Sequence, residues 1–142
     1  HNHACVMARA AEVAPIVQVG IRSMSVEERE DVFPDRIFYA HDLYRKSGWI
    51  QDVLGKLTRN VYITIDLDVL DPSIMPSTGT PEPGGMLWYD LIDALKRVSE
   101  QCNIVGFDVV ELCPNKENKS SDFLASKLVY TLLTYKFITG LK

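Results

Sequence analysis

The residues best suited to chemistry lie in Thr64-Ile65-Asp66-Leu67-Asp68-Val69-Leu70-Asp71-Pro72, where an apolar, β-rich run ends in aspartates. Carboxylates at the end of a buried strand are costly to desolvate unless a positive charge compensates them. Residues two apart on a strand point the same way, so Asp66 and Asp68 are expected to aim at one point beyond the strand's end. Paired oxygen ligands suit hard divalent cations such as manganese or magnesium. The plainer alternative is that such aspartates cap a helix or sit in a solvated turn. Asp71, out of that phase and before Pro72, is expected to shape the turn.

Two further features follow along the chain. Ser77-Thr78-Gly79-Thr80-Pro81-Glu82-Pro83-Gly84-Gly85 combines prolines that fix a loop with glycines that permit close backbone approach. Such a loop could present threonine hydroxyls and main-chain groups to a small ligand, or serve only as a well-turned connection. In Asp108-Val109-Val110-Glu111-Leu112-Cys113-Pro114 a second apolar strand ends in an acid, on the sheet edge expected to carry the aspartates. Glu111 is placed there to bind a cation, or to pair with a neighbouring Arg or Lys.

The elements that must position these groups alternate as strand, helix, strand, helix, which predicts an α/β fold with a mostly parallel sheet. Pro15 to Ile21 and Arg36 to Ala40 read as short strands, with a helix opening at Ser25-Val26-Glu27-Glu28 between them. An apolar stripe of Trp49, Ile50, Val53, Leu54 and Leu57 marks a helix from about Gly48 to Leu57. Asn60 to Ile65 and Asn103 to Val110 are the strongest strand signals and read as central strands. Helices are expected near Trp88 to Gln101 and from about Ser121 to Ile138. In such sheets the loops after the carboxyl ends of strands are where ligands bind.

Composition narrows the function classes. The 142 residues suit one domain, are nearly half hydrophobic and carry a formal charge of −4, which argues against nucleic acid as a partner. No apolar run approaches the roughly twenty residues of a membrane span, and the first residues lack the order of a secretory signal or transit peptide, so a cytoplasmic location is expected. Cys5, Cys102 and Cys113 match neither a disulfide framework nor a metal knuckle and are expected to be reduced. His41-Asp42 is read as structural.

Together the three elements resemble the ureohydrolases, the arginase and agmatinase family. In that pattern a strand ending Asp-x-Asp-x-x-Asp-Pro precedes a Thr-Gly-Thr-Pro-x-Pro-Gly-Gly loop and then a strand ending in Glu. The match is close from Val61 to Pro114, and the opening Asn2-His3-Ala4-Cys5-Val6-Met7 looks like the segment carrying the family's catalytic histidine. Pro81-Glu82-Pro83 looks more like agmatinases and related guanidino-acid hydrolases than like arginases proper.

The resemblance implies a three-layer α/β/α, arginase-like fold, incomplete at its N-terminal side, with residues 1–142 as the C-terminal portion of one domain. It further implies hydrolysis of a small guanidino compound to urea and an amine at a binuclear manganese site, in a homo-oligomer. Asp66 and Asp68 would be metal ligands, Glu111 would orient the guanidinium, Thr78 would line the substrate site, and His3 would shuttle a proton to the leaving amine.

The sequence departs from the pattern in lacking the family's Gly-Gly-Asp-His and Asp-x-His-x-Asp elements. The chain is therefore expected to be inactive alone, either as a piece of a longer enzyme or as a truncated descendant; its opening just before His3 favours the former. A non-catalytic oligomerisation module derived from the same fold is one alternative. Another is a haloacid-dehalogenase-type phosphatase using Asp66 as nucleophile, which leaves the Thr78 to Gly85 loop and Glu111 unexplained.

Overall fold

A computed structural model describes residues 5–31 and 33–139, with the chain divided between Lys56 and Leu57 into two compact units. The first holds helix α1 (Val6–Ala11), strand β1 (Gln18–Ile21), helix α2 (Glu28–Asp31), strand β2 (Ile37–Tyr39) and helices α3 (Ala40–Leu43) and α4 (Trp49–Leu54). The second holds β3 (Asn60–Asp66), α5 (Trp88–Gln101), β4 (Asn103–Val110) and α6 (Ser120–Thr139). Parallel strands joined through helices place each unit in the α/β class anticipated from the sequence.

In the first unit β1 and β2 pair in parallel, with a register shift between Val19 and Ile21 at Gly20, whose φ is +83°. Ser25 caps α2 reciprocally: its Oγ accepts the Glu28 amide and Glu28 Oε2 accepts the Ser25 amide. Helix α4 is shorter than its apolar stripe suggested, because Gly48 enters it in a left-handed conformation and Gly55 ends it. Ile37, Ala40, Val53 and Leu54 form the buried centre of this unit. The Ala-rich α1 has no stripe of its own and was not anticipated.

The second unit carries the longer elements. Asp90 accepts the Leu87 amide at 3.2 Å to start α5, and Leu91, Leu95 and Val98 bury one stripe of it. Ser121, Ala125, Leu128 and Leu132 bury the matching stripe of α6, which packs against α5 and β4. α6 is apolar on its outer side too: Phe123, Tyr130 and Phe137, seven residues apart, are exposed.

β3 and β4 pair in parallel from Asn60↔Asn103 to Asp66↔Val110, with one register shift between Val61 and Tyr62. That shift sets Asp108 opposite Thr64, on the face that also carries Tyr62. Asp108 accepts hydrogen bonds there from the Thr64 hydroxyl at 2.6 Å and the Tyr62 phenol at 3.0 Å. This carboxylate raises the Tyr62 pKa above its ordinary value, chiefly through that hydrogen bond.

Candidate metal and substrate site

β3 and β4 deliver Asp66 and Glu111 to one end of the parallel pair, since Asp66 and Val110 form its last rung. The strand stops at Asp66, and Leu67–Val69 close a single 3-10 turn for which Asp66 is the N-cap. Asp66 Oδ1 accepts the Asp68 amide at 2.9 Å. The expectation that Asp66 and Asp68 share one strand face is thus corrected. A carboxylate two residues ahead of a free amide captures it, while Leu67, at 0% exposure, draws the chain into the core. The capping alternative is realised at Asp66, and a second anchor holds Asp68, whose Oδ2 accepts the Thr80 hydroxyl.

Asp71 shapes the turn as its position suggested. Its carboxylate accepts the Ser73 amide at 3.0 Å, the Gly84 amide at 2.9 Å and the Gly85 amide at 3.2 Å. These bonds, those from Ser73 foremost, hold its pKa down at about 2. The base of the excursion is closed again by Met86, which donates to Val69 and accepts from the Asp71 amide. Gly85 fits there because it has no side chain: a Cβ would come within 2.4 Å of the Asp71 nitrogen.

Inside that closed base, Ser77 to Thr80 bridges the two strand ends. The Ser77 carbonyl accepts the Cys113 amide at 2.9 Å, just past Glu111. A Cβ on Gly79 would stand 3.9 Å from Glu111 Oε2, and Thr80 reaches Asp68. Thr78 is buried, and its Oγ1 has no hydrogen-bond partner among the described residues. Glu111 itself has φ +66°, the one left-handed non-glycine among the described residues.

The structure thus brings Asp68, Thr78 and Glu111 around one loop, with Asp66 at the adjoining strand end. His3 lies outside the described residues. Thr80 and the Ser77–Cys113 link were not singled out from sequence, although both sit within or beside the motifs that were. Asp66 and Asp68 offer oxygen donors of the kind manganese takes and leave the rest of its coordination shell to other ligands. Among the described residues no group of three or more His, Cys, Asp or Glu side chains comes together. The three cysteines form no disulfide. His41 finds local partners, stacking on Tyr39 at 5.6 Å between centroids and lying 3.5 Å from Asp42.

A parallel α/β pair carries acids and a Thr-Gly-Thr loop at its carboxyl end, and comparison with known proteins gives the chain a family. The arginase family pattern matches residues 1–134. An N(1)-aminopropylagmatine ureohydrolase from Synechocystis sp. is 38% identical over 141 residues, covering 95% of this chain and 45% of its own length. An agmatinase from Pyrococcus horikoshii is 33% identical, covering 93% and 47% respectively. The crystal structure of agmatine ureohydrolase of Thermoplasma volcanium superposes with a TM-score of 0.80 at 37% identity, over 95% of this chain and 47% of that one. The chain belongs to the arginase (ureohydrolase) family. It spans about half the length of the curated relatives it matches. The phosphatase-like alternative gains no support from these matches.

Proposed function

We propose that this chain contributes one side of the active site of a ureohydrolase that cleaves a small guanidino compound, agmatine or a relative, to urea and an amine. The observation that carries the reading is the Ser77 to Thr80 bridge, in which Thr80 anchors Asp68, the adjacent Gly79 lies beside the Glu111 carboxylate and Ser77 ties down the segment just past Glu111. In this reading both units belong to the C-terminal portion of one ureohydrolase domain within a longer enzyme.

Asp66 and Asp68 would hold manganese, each kept in place by its neighbour in the chain or loop. Manganese bound there would make water a nucleophile at neutral pH. Glu111 offers two oxygens to the doubly donating edge of a planar guanidinium, a charge-assisted pairing that fixes its orientation. The buried Thr78 hydroxyl is available to accept a further guanidinium N–H. His3 has the residue type to pass a proton to the departing amine, its ordinary pKa lying near neutrality.

The test is urea release from agmatine by the manganese-loaded enzyme carrying this segment, against its Asp66→Asn and Glu111→Gln variants. Activity should fall by orders of magnitude in both, and wild-type turnover unchanged by either substitution would refute the assignment. The segment by itself is expected to release no urea but to gain thermal stability with added manganese. A melting temperature indifferent to manganese would favour the non-catalytic module. We also propose self-association of the enzyme, supported by the exposed Phe123, Tyr130 and Phe137 of α6; sedimentation of a Tyr130→Lys variant as a smaller species would bear this out.

A further inference from the structure

Glu111 occupies a backbone conformation that a residue with a side chain adopts at a cost, and such a conformation persists only where its surroundings over-determine it. Downstream it is held by the Cys113 amide on the Ser77 carbonyl. Upstream the backbone ladder ends at Val110, in a sheet that contains only β3 and β4 among the described residues.

To this ladder Asp108 adds a side-chain hold. Aspartate is a poor strand residue, yet here one sits within β4 with each carboxylate oxygen engaged by a different hydroxyl of β3. Gly106 makes the longer of these bonds possible, because the Tyr62 ring lies over it so closely that a Cβ would meet ring carbon Cε2 at 2.9 Å. The tie therefore spans Gly106 to Asp108 of β4 and fastens it to β3 three residues before Glu111.

We infer that Asp108 is a positioning residue, whose double tie to Thr64 and Tyr62 fixes the end of β4 so that Glu111 keeps its left-handed backbone and its carboxylate beside Gly79. The tie acts on the carboxylate that would orient a guanidinium, so its kinetic consequence rests on the ureohydrolase reading; its conformational consequence does not.

Two measurements separate these. In the chain itself, urea-unfolding midpoints are compared for wild type, Asp108→Ala, Glu111→Gly and the double variant. Glu111→Gly should raise the midpoint of wild type by relieving the strain, and should give less than half that rise once Asp108→Ala has already let the backbone relax. Equal rises in both backgrounds would mean that Asp108 is merely structural and would overturn the inference. Should Asp108→Ala fail to fold, Thr64→Val removes the 2.6 Å bond while keeping a β-branched shape and repeats the cycle.

In the manganese-loaded enzyme carrying this segment, Asp108→Ala should raise KM for agmatine about tenfold or more with a smaller change in kcat. Asp108→Asn, whose amide can still bond both hydroxyls, should recover most of that loss. An unchanged KM in Asp108→Ala would also overturn the inference. A wild-type enzyme that releases no urea would instead sink the ureohydrolase reading and leave the unfolding cycle to decide the role of Asp108.

Discussion

Gly84 and Gly85 stand side by side at the base of the loop that Asp71 closes and resist substitution for different reasons, so alanine at each should cost different amounts. Gly84 has φ +84° and open space around its missing Cβ. Alanine there meets only the penalty of the left-handed region, about 1–2 kcal/mol. At Gly85 a Cβ would lie 2.4 Å from the Asp71 nitrogen, 2.5 Å from the Leu70 carbonyl carbon and 2.7 Å from its oxygen. Those are backbone atoms, and one of them, the Asp71 nitrogen, donates the hydrogen bond to Met86 that helps pair Leu70 with Met86. Overpacking against side chains that can yield costs about 1–3 kcal/mol; against a backbone held on both sides the cost should reach about 3 kcal/mol or more. Urea unfolding of the two single variants measures the difference directly. Gly85→Ala within about 1 kcal/mol of wild type, or less damaging than Gly84→Ala, would refute the reasoning.

Three further outcomes are expected. The Asp71 carboxyl titrates at about 2 when folded, below its ordinary range, so its stabilisation is complete above that ordinary range and is lost as pH falls towards 2. Asp71→Asn should accordingly narrow the gap between unfolding midpoints measured near neutrality and in acid. Leu132→Ala, at a fully buried position on α6, should cost about 2–5 kcal/mol by chemical denaturation. Thr78→Val replaces a buried hydroxyl that lacks a partner with a methyl group of the same shape, and should stabilise the chain by about 1 kcal/mol while raising KM for the guanidino substrate.

The four longest elements, β3, α5, β4 and α6, were legible to within a residue or two: β3 and β4 are unbroken β-rich runs, α5 carries a one-sided apolar stripe, and α6 is a long run rich in apolar residues. The first unit was harder. Short helices such as α1 and α3 contain too few residues to show a period, and Gly55 ended α4 three residues before its apolar stripe did. At the candidate site, motif order singled out Asp66, Asp68, Thr78 and Glu111 as candidates, but it could not give their geometry. Strand alternation was extended through Leu67 to Asp68, whereas the chain had already turned under the pull of one buried leucine and one captured amide. The Asp108 tie depends on a one-residue register shift between β3 and β4, which no single strand's pattern reveals. Thr80's reach to Asp68 likewise requires the loop's path in space.

The excursion from Asp71 to Gly84 begins and ends within hydrogen-bond distance of itself, closed by one carboxylate and by the Leu70–Met86 pairing. A loop sealed at its neck behaves as a cassette. The entropy of ordering it is met locally, at the neck. Within such an enclosure Ser77 to Thr80 stays fastened to Asp68 at one end and to the segment past Glu111 at the other.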